Sequence, residues 1–131
     1  MKPIHTSSSR KRAIARVTLH KGTGLVRINN QELSTIPNVL WKEKILEPLR
    51  LAGDAAKKID VSIKTEGGGA IGQAEAARTA LALAITQFDK SLSKPFAEYD
   101  RTLLVRDVRR KETHKPNRHG KARAKVQKSY R

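Results

Sequence analysis

The chain contains no cysteine. That excludes a disulfide framework, a thiolate metal site and a cysteine nucleophile. No apolar run approaches the roughly 20 residues that a membrane-spanning helix requires. The opening residues, Met1-Lys2-Pro3-Ile4-His5-Thr6, lack the apolar core of a secretory signal. Aromatic residues make up only 4% of the chain, too few for the stacking sheet of an RNP-type RNA reader. The most informative shortage is of acids: none precedes Glu32 and none follows Glu112. These absences lead us to expect a soluble intracellular protein that seeks polyanions.

What is present agrees. In 131 residues there are 28 Lys and Arg against 12 Asp and Glu, a net charge of +16. Residues 1–31 hold seven basic side chains and residues 113–131 hold seven more, so the two ends carry +14 of the +16. The middle is nearly balanced, with fourteen basic and twelve acidic residues. A solvated surface normally mixes both signs, because like charges repel. We therefore expect a small body spanning 1–112 and a basic tail spanning 113–131. The tail's few apolar residues cannot offset its chain entropy, so it is read as extended and ordered only on a partner. Fully stretched it reaches roughly 60 Å.

Ala13, Ala15, Val17 and Leu19 alternate with Ile14, Arg16, Thr18 and His20, the period of a strand. The turn signal Lys21-Gly22-Thr23-Gly24 and a second apolar run over 25–29 suggest an antiparallel hairpin, with Arg10-Lys11-Arg12 at its mouth. Pro37 suits a helix start. Val39, Leu40, Ile45, Leu46 and Leu49 form a helical stripe that Pro48 should kink or end, with Gly53 as its cap. Trp41 is read as a packing anchor. Ile59, Val61, Ile63 and Thr65 mark the clearest strand. A long helix begins near Ile71, with Ala74, Ala77, Leu81, Ala84, Ile85 and Phe88 on its apolar face. Residues 91–95 read as a break. Residues 96–104 read as a short amphipathic element with Phe96, Tyr99, Leu103 and Leu104 inward, and residues 105–111 as a final edge strand. The fold class is α/β.

Gly67-Gly68-Gly69 between strand and helix invites a phosphate-loop reading. The nucleotide-binding pattern needs Lys and a hydroxyl after its last glycine. Here Gly72 is followed by Gln73 and Ala74, so a turn with close backbone packing is the better reading and a phosphotransferase is disfavoured. His114 and His119 lack neighbouring carboxylates beyond Glu112, which argues against zinc. Glu43 and Glu47, four apart and flanked by lysines, read as a solvated helix face. No catalytic constellation is defensible, no cofactor or small-molecule substrate is implied, and we expect no enzyme.

The basic clusters carry the signal. Arg10, Lys11, Arg12 and Arg16 near the start, Arg106, Arg109, Arg110 and Lys111 near the end of the body, and Arg118, Lys121, Arg123, Lys125, Lys128 and Arg131 in the tail all suit a phosphate backbone. Tyr130 offers a ring to a base or ribose. No helix carries a basic stripe fit for a major groove, which argues against a DNA-compacting protein.

The blocks Ser9-Arg10-Lys11-Arg12-Ala13-Ile14-Ala15-Arg16-Val17, Gly22-Thr23-Gly24, Val26-Arg27-Ile28-Asn29, and Glu47-Pro48-Leu49 resemble ribosomal protein nine of the small subunit. So do Glu66-Gly67-Gly68-Gly69, the run from Gly72 through Gln73-Ala74-Glu75-Ala76-Ala77 to Arg78, the run from Arg106 to Glu112, and the ending Gln127-Lys128-Ser129-Tyr130-Arg131. They fall in order across nearly the whole chain. The ending looks archaeal or eukaryotic: bacterial members commonly end Ser-Lys-Arg, and Tyr130 stands in place of that lysine.

The resemblance implies the α/β fold named after the second domain of ribosomal protein five, with a left-handed βαβ crossover. It implies a structural, cytoplasmic protein in the head of the small ribosomal subunit. Its partners would be small-subunit ribosomal RNA, neighbouring head proteins and, at the tail's end, transfer RNA in the peptidyl site. Carried over, Lys128, Tyr130 and Arg131 lie nearest that transfer RNA. The remaining basic residues named above contact ribosomal RNA. No membrane contact is implied.

Overall fold

The computed structural model describes residues 2–117 and 120–123. Five strands form one mixed sheet: β1 (Ile4–Arg10), β2 (Ala13–Lys21), β3 (Val26–Ile28), β4 (Gln31–Glu32) and β5 (Ile59–Glu66), in the order β1-β2-β5-β3-β4. Three α-helices accompany them: α1 (Val39–Ala52), α2 (Ala70–Phe88) and α3 (Ser93–Tyr99). Short 3-10 turns punctuate the chain at Leu33–Thr35, Gly53–Lys58, Lys90–Leu92 and Arg101–Leu103.

The alternation in β2 and β5 is realised. Ala13, Ala15, Val17, Leu19, Ile59, Val61 and Ile63 are buried, while Arg16 lies exposed on the other face. The run over 13–21 does not, however, pair with the run over 26–28. β2 instead pairs antiparallel with β1 and with β5, and β3 lies parallel to β5 on its far side. The cause is Asp60 on β5. Its Oδ1 accepts hydrogen bonds from the backbone N–H groups of Thr23, Gly24 and Leu25 at 2.8–3.0 Å. Those donors, Leu25 first, hold its carboxyl below the usual range. The loop is thereby folded over the end of β5, so β3 enters beside it and Val61 N–H bonds to the Leu25 carbonyl. The parallel β3 and β5 are joined through β4 and α1, which makes the βαβ unit the resemblance implies.

β1 was invisible in the sequence because its inner face is polar. Ile4, Thr6, Ser8 and Arg10 stand opposite Leu19, Val17, Ala15 and Ala13. Thr6 donates through its hydroxyl to the Ala80 carbonyl at 2.7 Å, which ties the strand to α2. Arg10-Lys11-Arg12-Ala13 is itself the hairpin turn, with Lys11 at φ +54°.

Asn38 caps α1 by accepting from Trp41 N–H. Pro48 does not end the helix, which continues to Ala52 and is closed by Gly53 at φ +56°. The Pro48 ring is fully buried, and that burial offsets the hydrogen bond it cannot donate. Val39 and Leu40, expected in the stripe, are exposed, while Ile45 and Leu49 are buried. Trp41 packs half-buried against the core, as expected. The buried surface of α2 is wider than one stripe, because it lies between the sheet and α1. Ala76, Ala80 and Ala82 are buried as well as Ala74, Ala77 and Ala84. Residues 90–103 are helical turns rather than a break, with Phe96 and Leu103 fully buried, Leu104 half-buried and Tyr99 exposed. Residues 105–111 are not a strand: Val105 and Val108 are exposed and the segment joins no sheet.

Gly67 and Gly68 have φ of +69° and +63°. A Cβ there would stand 2.8 Å from the Arg12 carbonyl oxygen and 2.8 Å from the Ala13 nitrogen. The glycine run is therefore a close-packing device against the β1–β2 turn. Gly68→Ala is expected to cost about 1–3 kcal/mol in urea unfolding. Gly69→Ala, with open space around it, should stay within about 0.5 kcal/mol.

Lys44 pairs with Glu75 and Glu47 with Arg78, so α1 and α2 run side by side in the same direction. Arg78 is nearly buried and also binds Asp100 at 2.9 Å and the Thr102 hydroxyl at 3.0 Å. Glu47 is thus part of an internal network, whereas Glu43 is exposed and pairs with Arg50. The Arg78 hydrogen bond holds the Asp100 carboxyl down to about 2, against partial burial and with help from Thr102 N–H. Burial pushes Glu47 up, but the hydrogen bond and charge of Arg78 leave it lowered overall. A lowered carboxylate stabilises the fold above its ordinary pKa and loses that contribution as pH falls. Melting temperature should therefore drop between pH 3.8 and about 2. Asp100→Asn should melt lower than the parent at pH 6, and the gap should close by about pH 2.

Candidate nucleic-acid interface

The end of β1, the Lys11-Arg12 turn and residues 105–111 meet at one edge of the sheet. Two contacts bring the last segment there. Arg106 Nη1 donates to the Ser9 hydroxyl at 3.3 Å, and Asp107 Oδ2 lies 3.4 Å from Arg10 Nη2. Between the two segments opens a cleft of about 410 Å³, lined by Lys11, Arg12, Arg106 and Arg110 over Ser7, Ser8, Ser9 and Ile14. All four cations are exposed. Among the described residues none of the four is in an ion pair, and no carboxylate lines the cleft. The Ser8 hydroxyl beneath it is buried without a partner.

Unpaired cations gathered without counter-charge repel one another, by about 1 kcal/mol for a pair 4 Å apart even in water. The arrangement is relieved by a polyanion. Arginine forks and a lysine point charge suit phosphate oxygens, and serine hydroxyls supply neutral donors. No carboxylate or imidazole lines the cleft to activate those hydroxyls as a general base.

The other candidate residues are distributed differently. Arg10 is directed into the body, with its side chain 16% exposed, and pairs with Glu75 at 3.0 Å as well as with Asp107. Arg109 is exposed but doubly bonded to Asp107, whose carboxyl these bonds hold far below its ordinary range. Arg16 lies on the open face of the sheet, 2.7 Å from Glu66, with Lys64 beside it in register. Lys111 and Lys121 are exposed. Arg123 pairs with Glu112, and Lys115 N–H bonds to the Lys121 carbonyl at 2.9 Å. The described start of the tail thus folds back on the chain's last acid. Arg118, Lys125, Lys128, Tyr130 and Arg131 lie outside the described residues.

Sequence reasoning missed Ser7, Ser8 and Ser9 as the floor of the cleft, and Glu75 and Asp107 as anchors. The acid between Arg106 and Arg109, alone in a basic run, was the available signal. In the glycine turn at 67–69, Gly67 and Gly68 are packed against the hairpin, which supports the close-packing reading of that turn. Among the described residues no helix is long and apolar enough to cross a membrane.

Comparison with known proteins fits this geometry. The family model described as ribosomal protein S9/S16 matches residues 8–131. A small ribosomal subunit protein uS9 from Methanococcus maripaludis is 48% identical over 134 residues, covering 100% of both chains. One from Thermoplasma volcanium is 49% identical over 130 residues and 98% of both, and one from Methanococcus vannielii is 47% identical over 134 residues and 100% of both. An edge of unpaired cations and a family match running the length of the chain lead to one assignment. The chain belongs to the ribosomal protein S9/S16 family: a structural, RNA-binding constituent of the small subunit of the cytoplasmic ribosome, acting in translation and not an enzyme.

Proposed function

We propose that the body binds small-subunit ribosomal RNA through the cleft of Lys11, Arg12, Arg106 and Arg110. The tail continues that contact through Arg118, Lys121, Arg123 and Lys125, and ends with Lys128, Tyr130 and Arg131 at the transfer RNA of the peptidyl site. Arg16, Arg109 and Lys111 add exposed charge around the cleft. The observation that carries the reading is the cleft itself, four free cations with no acid among them. Contacts of this kind place a protein on folded RNA without reading its sequence. A position within the head, beside other ribosomal proteins, is what the family resemblance implies.

Sedimentation of a native lysate at high salt is the direct test: the protein is expected to stay with the small subunit. Release to the top of the gradient, or co-sedimentation with DNA, overturns the reading. On purified small-subunit ribosomal RNA, Lys11→Ala with Arg12→Ala, or Arg106→Ala with Arg110→Ala, should weaken binding. Each pair should also make the slope of log affinity against log salt shallower by about 1 per lost phosphate contact. Removing residues 128–131 should lower transfer-RNA occupancy of the peptidyl site, measured by filter binding, while subunits still assemble.

A further inference from the structure

We propose that Arg10 is a positioning residue: acting through Asp107, it docks the basic segment 105–111 beside the hairpin. The inference rests on the RNA-binding reading above and gives Arg10 a role different from its basic neighbours. Arg10 falls on the inner face of β1, in line with Thr6 and Ser8. Its Nε donates to Glu75 Oε2 at 3.0 Å, and its Nη2 faces Asp107 Oδ2 at 3.4 Å. Its remaining nitrogen, Nη1, is buried without a partner and so is closed to a phosphate. Glu75 turns its other oxygen to Lys44 on α1 at 3.3 Å, and Asp107 also holds Arg109 at 2.7 Å.

Five charges of alternating sign thus run from α1 across α2 and β1 to the exposed segment: Lys44, Glu75, Arg10, Asp107, Arg109. Segment 105–111 has no ladder hydrogen bonds to hold it. Its only other described tie to β1 is the contact of Arg106 with Ser9. It carries four cations and one acid, and it lies beside two further cations at Lys11 and Arg12. Without Asp107 the like charges would drive it away from the hairpin. With Asp107 in place, Arg106 and Arg110 are held where they complete the cleft, and the chain leaves the body in a fixed direction.

Asp107→Asn separates this from simple charge attraction. It raises the net charge from +16 to +17, so attraction alone predicts tighter binding to small-subunit ribosomal RNA. Positioning predicts binding weaker by about fivefold. It also predicts that amide order parameters of Val105, Val108 and Arg110 in the free protein fall from about 0.85 to below about 0.6. Asp107→Glu should restore both. Unchanged or tighter RNA binding by Asp107→Asn, or unchanged order parameters, overturns the proposal. If the parent protein shows no preference for small-subunit ribosomal RNA over duplex DNA, the RNA reading fails. The order parameters then still decide whether Asp107 anchors the segment.

Discussion

Scarcity of negative charge is the constraint on which this structure depends. Twelve carboxylates must serve a chain with 28 basic side chains, and six of them are found at its joints. Asp60 folds the loop that delivers β3 to its place. Glu47 and Asp100 converge on Arg78, which ties α2 to α1 and to the turn at Arg101–Leu103. Glu75 and Asp107 share Arg10, and Glu112 closes the loop on Arg123. A partly buried pair is less screened than an exposed one and is costly to break, because an uncompensated charge remains. With acids engaged at these joints, four of the cations left over gather at the sheet edge, where repulsion among them favours a polyanionic partner.

The parts of the fold written in apolar periodicity were legible. β5 and α2 follow directly from alternation and from the alanine face, and the buried side of β2 agrees residue by residue. What was illegible depended on polar residues acting at long range. The run over 25–29 looks like the return strand of a hairpin until Asp60, 35 residues beyond Leu25, takes its backbone donors. β1 shows no apolar alternation because its inner face includes Thr6 and Ser8. Pro48 reads as a stop because nothing local announces that its ring will be buried.

The candidate site was legible in kind and only partly in detail. Charge runs located Lys11, Arg12, Arg106 and Arg110, which the fold brings together although some 95 residues separate the two clusters. The same runs did not distinguish Arg10, because the alternation of a strand buries one residue and exposes the next. The four described aromatic residues form no stacking platform on the sheet. Phe96 is fully buried, Trp41 and Phe88 are half-buried against the core, and Tyr99 sits at the end of a short helix. None of these four lies on the open face of the sheet.

The parallel packing of α1 and α2 has an electrostatic consequence. Both ion-pair rungs join residues 31 apart, Lys44 with Glu75 and Glu47 with Arg78, so the first turns of the two helices lie at the same end of the body. That end abuts the hairpin, where Gly68 packs on Ala13. Neither helix has an acidic residue in its first turn. Aligned peptide dipoles give each N-terminus about half a positive charge, and side by side they add instead of cancelling. The backbone thus biases the body in the same sense as its arginines and lysines, giving it a polarity that would survive side-chain substitution.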